Sequence, residues 1–100
     1  MTYEICTVFD SKTRAYLTPF FTPTLDSAKR SFFSVFSDSS HDFAKFPEDY
    51  YLFHIGTYDP ATAIVTPVSP VSIKSGVECA SLQHAYSVSE FAQPGQTTLV

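Results

Sequence analysis

Alternation of apolar and polar side chains is clearest at residues 3–9 and 50–58, and both stretches predict strands. In the first, Tyr3, Ile5, Thr7 and Phe9 share one face, and Glu4, Cys6, Val8 and Asp10 share the other. Asp10-Ser11-Lys12-Thr13 is a polar turn. Residues 14–21 predict a second strand that ends near Pro19, because proline has no N–H to give to a ladder. In the 50–58 stretch, Tyr51, Phe53 and Ile55 fall on one face and Tyr50, Leu52, His54 and Tyr58 on the other. Apolar groups on both sides predict a strand covered twice, the second cover being the tail or another subunit. Asp59-Pro60-Ala61-Thr62 is a turn by composition, and residues 63–68 return to complete a hairpin. Pro67 and Pro70 make its far end irregular, and residues 71–75 continue extended.

Between the strands the period changes. Thr22-Pro23-Thr24 breaks the chain, and Thr24 or Asp26 can cap a helix running to Phe36 or Ser37. Leu25, Ala28, Phe32, Val35 and Phe36 form its apolar stripe, while Lys29, Arg30 and Phe33 lie together outside it. Residues 37–49 are a polar connection with a short helical turn from Ser40 to Lys45, under which Phe43 and Phe46 tuck. After Gly76 the pattern weakens: Val77 to Tyr86 predicts a short helix, and Pro94 to Thr98 a loose end. The sum is an α+β fold, a small antiparallel sheet in the order β-β-α-β-β with one main amphipathic helix packed on it. Residues 1–75 form the domain and residues 76–100 a partly irregular C-terminal extension. One helix cannot cover both sides of a sheet, so the bare aromatic side predicts self-association, as a homodimer.

Composition narrows the function more than it names it. One hundred residues suit a single domain, and 44% hydrophobic content excludes wholesale disorder. Six Lys+Arg against ten Asp+Glu leave a net charge of −4, which argues against a general polyanion binder. No apolar run approaches a membrane span, and the opening residues, Met1 to Ile5, lack the basic-then-apolar order of a secretory leader. Cys6 and Cys79 fit no ligand spacing and are expected as reduced thiols.

No catalytic constellation stands out. Serines and His41, His54 and His84 are present without a nucleophile signature, so the chain is not expected to be an enzyme. His41-Asp42 and Glu48-Asp49 read as caps and turns rather than metal ligands, and His54 as a half-buried strand residue. Three isolated glycines exclude a phosphate cradle, and no cofactor is expected; Gly56 marks a bulge or a close backbone approach. Five of the six cations, Lys12, Arg14, Lys29, Arg30 and Lys45, fall in the first 45 residues. Lys29 and Arg30 beside Phe33, with Lys12 and Arg14 on the first hairpin, suit single-stranded nucleic acid, whose phosphates seek cations and whose bases stack on rings. The plainer alternative is a solvated helix face and a polar turn.

Three segments carry a resemblance. They are Tyr16-Leu17-Thr18-Pro19-Phe20-Phe21, Ala28-Lys29-Arg30-Ser31-Phe32, and the run from Phe46-Pro47-Glu48-Asp49 through Gly56-Thr57-Tyr58-Asp59. In this order, over residues 3–70, the chain resembles the small non-structural protein of gokushoviruses, the single-stranded DNA phages of the Microviridae. It departs from that pattern in Tyr58, where Phe is commoner, in a hairpin turn without glycine, and in a longer tail. The resemblance implies a non-enzymatic accessory protein, made in the cytoplasm of the infected bacterium, acting in viral DNA replication or the switch to packaging. Its expected partners are single-stranded DNA and a viral or host replication protein. The alternative is a homo-oligomeric interaction module that binds a host or viral protein without touching DNA.

Overall fold

Two strands form the centre of the sheet in a computed structural model that describes residues 1–83. β1 (Tyr3–Asp10) and β4 (Tyr50–Asp59) run antiparallel, with Val8 opposite Leu52 and Phe9 opposite Tyr51. β2 (Ala15–Tyr16) and β3 (Phe20–Thr22) both pair with β1, and β5 (Ile64–Ser75) pairs with β4, all antiparallel. The α+β class and the small antiparallel sheet are as the sequence predicts.

The single strand expected over residues 14–21 is two short pieces. Pro19 has no N–H, so the chain leaves the ladder at Leu17 and rejoins it at Phe20, opposite Cys6. The gap is held by backbone and side chain together. Leu17 N–H donates to Val8 O at 2.8 Å, and the Thr7 hydroxyl donates to Leu17 O at 2.6 Å. The strand therefore steps over the proline instead of ending at it.

Helix α1 (Leu25–Val35) starts at Thr24, whose hydroxyl accepts from Ser27 N–H at 3.0 Å. Ala28, Phe32 and Phe36 are buried with Cys6, Val8 and Leu52 of the sheet. The short α2 (Asp42–Lys45) is capped by His41, whose Nδ1 accepts from Phe43 N–H at 3.1 Å. Phe43 packs its ring 4.3 Å from that of Tyr50 and 5.8 Å from that of Phe32. Phe46, expected to tuck in beside it, is instead half exposed, because the chain turns there into the 3-10 turn Pro47–Asp49. Asp49 O accepts from both the N–H (2.8 Å) and the hydroxyl (3.0 Å) of Ser11, which ties this turn to the β1–β2 connection.

β5 is an edge strand that runs to Ser75, as the extended residues 71–75 lead one to expect, and it is irregular at Pro67 and Pro70, as predicted. Its register against β4 slips twice, between Leu52 and Phe53 and between His54 and Gly56. A Cβ on Gly56 would meet Thr66 O at 2.8 Å, the close backbone approach its sequence position implies.

The core continues past residue 75, where the sequence suggests the domain ends. Residues 76–83 form a third helix, α3, which puts Cys79 fully into the same core as Cys6, Val8 and Phe32. The loose end expected over residues 94–98 lies outside the described residues. The three described helices pack on one side of the sheet, and no described helix covers the other, where Ile5 and Thr7 are buried only by neighbouring strand and loop side chains such as Leu17.

Candidate functional site

The predicted site residues do not form one patch. Lys29, Arg30 and Phe33, from successive turns of α1, line a shallow depression of about 200 Å³. Two residues that the sequence does not single out complete it: Lys74 near the end of β5 and Leu82 of α3. Half of the six cations therefore meet in one place. Lys74 lies opposite Leu52, on the helix-bearing side of the sheet, and a β5 extending beyond residue 68 is what brings it to α1. Phe33 is half-buried against the core, not outside it as helical spacing alone suggests, because α3 lies alongside; Gln83 Nε2 donates to Phe33 O at 3.4 Å.

The charge of this depression is tempered by Glu78. Its Oε1 accepts from Ser75 N–H at 2.9 Å and from the Ser75 hydroxyl at 3.1 Å. Those bonds, with Lys74 and Lys29 nearby, hold its carboxyl below the usual carboxylate range. Glu78 therefore stays ionised and offsets part of the positive field.

Lys12 and Arg14 lie elsewhere, on the exposed β1–β2 turn. The Asp10 carboxylate accepts from the backbone of Lys12 (3.0 Å) and Thr13 (3.4 Å), and Arg14 adopts a left-handed φ of 60° to close the turn. Lys12 lines a second depression, of about 250 Å³, with Asp10, Asp42 and Asp49. Those three carboxylates also push the Tyr50 hydroxyl up from its ordinary pKa, after the larger effect of burial. An anion is not welcome there, so this cation is local counter-charge. Lys12 and the Lys29 group share no lining residue.

The uncovered side of the sheet has a different character. Phe9, Tyr16 and Phe53 form one aromatic cluster, with Tyr16 4.7 Å from Phe9 and 5.5 Å from Phe53 between ring centres. Phe21 and Tyr58 form another at 5.5 Å. Between them runs a groove of about 310 Å³ lined by Thr7, Tyr16, Leu17, Pro19, Ile55, Val68 and Pro70. The charged strand residues Glu4, Asp10, Asp59 and Lys74 all alternate onto the opposite side.

Among the described residues the histidines and cysteines have structural roles, and His84 lies outside them. His54 Nε2 lies 2.9 Å from Glu4 Oε1 and 3.0 Å from Gly56 O, in a part-buried position at the end of the helix-bearing side. His41 is the α2 cap. Cys6 and Cys79 are free and buried. Burial pushes each thiol up to about 11, with the Glu4 charge adding to the effect at Cys6. Among the described residues no group of three or more His, Cys, Asp or Glu converges as a metal site, and no helix is long and apolar enough to cross a membrane.

No curated protein and no solved structure matches the chain. A family described as Phage ORF5 protein does match, over residues 3–79. That span runs from the first residue of β1 to the buried Cys79 of α3, and so takes in every described strand and the whole described core. The chain belongs to the Phage ORF5 protein family.

Proposed function

We propose that this phage accessory protein is a gokushovirus non-structural protein without enzymatic activity, and that it binds single-stranded DNA during viral replication or the switch to packaging in the host cytoplasm. The observation that carries the proposal is the grouping of Lys29, Arg30 and Lys74 around Phe33 and Leu82 on an otherwise acidic chain. Three cations from two elements can neutralise adjacent phosphates. The exposed Leu82 and the outer edge of Phe33 offer apolar contact to a base. Lys12 and Arg14 contribute less, since carboxylates surround Lys12.

Fluorescence anisotropy of a labelled oligodeoxythymidine tests this. Affinity should fall steeply as salt rises. Replacing Lys29, Arg30 and Lys74 by glutamate should flatten the logarithmic salt slope by roughly 2, at about 0.7 per phosphate contact for a single strand. Lys12→Glu should change binding little. Absence of binding at low salt, or equal binding by the triple variant, ends the proposal.

A viral or host replication protein is the second reading. It is favoured by the net charge of −4 and by the ionised Glu78 close to Lys74 and Lys29. Affinity capture from infected cells, with and without nuclease, separates the two: a partner retained after nuclease treatment favours protein binding.

A further inference from the structure

We infer that the uncovered side of the sheet is the interface of a homodimer, closed face to face about a two-fold axis. This goes beyond the DNA-binding proposal and rests on the opposite side of the molecule.

The chemistry of the face selects this occupant. A polyanion has nothing to pair with there, because the strands present no Lys or Arg on that side. A strongly basic partner has no carboxylate to meet either. For a chain of net charge −4, the one surface that two copies can bring together without opposing like charges is an uncharged one.

Shape points the same way. A two-fold contact needs a surface that complements itself. Here the exposed Tyr16, packed on the half-buried Phe9 and Phe53, stands at the side of a groove lined by Thr7 and Ile55. A half-turn would bring the Tyr16 of one copy to the groove of the other. Tyr16 at 50% and Leu17 at 40% exposure stand far enough out to enter it.

The area suffices. Four strand positions about 4.8 Å apart and some eight residues long at about 3.4 Å each make a face of roughly 20 by 25 Å. Two copies would then cover roughly 1,000 Å² in all, near the lower limit of specific interfaces. A dimer in the micromolar range is the expected strength.

The test is light scattering and sedimentation of the full chain across micromolar concentrations. The proposal expects a mass that rises toward twice 11.1 kDa. Tyr16→Glu and Leu17→Glu, at exposed positions, should each weaken association at least tenfold while leaving the far-ultraviolet circular dichroism unchanged. Arg30→Glu, on the far side, should not weaken it. Methyl NMR of the unmodified protein on dilution is a second readout that needs no variant. Shifts at Leu17, Ile55 and Val68 with none at Ala28 support the interface. A monomer at every concentration, as when another segment of the chain or a different partner occupies the face, overturns the proposal. So does a dimer whose dilution shifts fall on the helix side.

Discussion

A Cβ placed on Gly76 would overlap the carbonyl oxygen of Pro47 and come within 3.0 Å of that of Tyr50. The first residue of α3 thus seats directly on the 3-10 turn that leads into β4. Backbone atoms cannot swing away as a side chain can. In an open helix, Gly→Ala is favourable by about 1 kcal/mol. Here the sign should reverse, and Gly76→Ala should destabilise by roughly 1–3 kcal/mol through overpacking. Urea denaturation reads this as a lower midpoint at unchanged slope. A rise in the midpoint would show that α3 does not press on the turn.

The two thiols give a pH dependence of definite sign. Each has its folded pKa raised by burial to about 11, from an ordinary thiol value of 9.0. The unfolded chain therefore ionises first, and the stability owed to neutral buried thiols, complete below pH 9, is lost as pH rises through about 11. Cys6→Ser should not remove this loss at Cys79. Titration with a thiol-reactive dye at neutral pH should report no fast-reacting thiol until denaturant is added. Rapid labelling of the native protein would contradict the burial of both side chains.

Much of this arrangement is legible in the residues. The 3.6 period of Leu25, Ala28, Phe32 and Phe36 gives α1 and its buried face, and Thr24 gives its start. Gly56 announces a bulge or a close approach, and both are there: the register slips beside it and Thr66 O lies where a Cβ would be. Two things are not legible. The extended stretch expected over residues 71–75 is present, but its union with residues 63–68 in one paired strand is not legible, because the register slips across the residues between Pro67 and Val71. Nothing local therefore says that Lys74 meets Lys29 and Arg30. The burial of Cys79 likewise depends on where α3 docks, a long-range fact with no local pattern behind it. The interruption at Leu17–Pro19 is half visible: proline predicts the break, but only the Thr7 hydroxyl explains the recovery.

Core truncation should separate the two sides of the sheet. Leu52 is fully buried under the helices, so Leu52→Ala should cost about 2–5 kcal/mol. Thr24→Ala removes only a cap and should cost about 1 kcal/mol. Thermal or chemical melts of the two variants, taken at one protein concentration, check the order. Equal losses would contradict the assignment of Leu52 to the centre of the core.

His54 should have a defined tautomer. Both groups near its Nε2, Glu4 Oε1 and Gly56 O, are acceptors, so that nitrogen must bear the hydrogen. Long-range nitrogen–proton NMR at neutral pH should find Nε2 protonated, and Glu4→Ala should loosen that preference without abolishing it. A native Nδ1–H form would mean that these contacts are not hydrogen bonds.

Pro67 and Pro70 sit in the outermost strand, where an exposed backbone would otherwise recruit further strands side by side. Neither can donate, so the margin of the sheet makes a poor template for runaway stacking. The exposed Ile64, Val65 and Val71 of that same strand make the missing donors matter, since apolar side chains alone would favour the stacking that two prolines oppose.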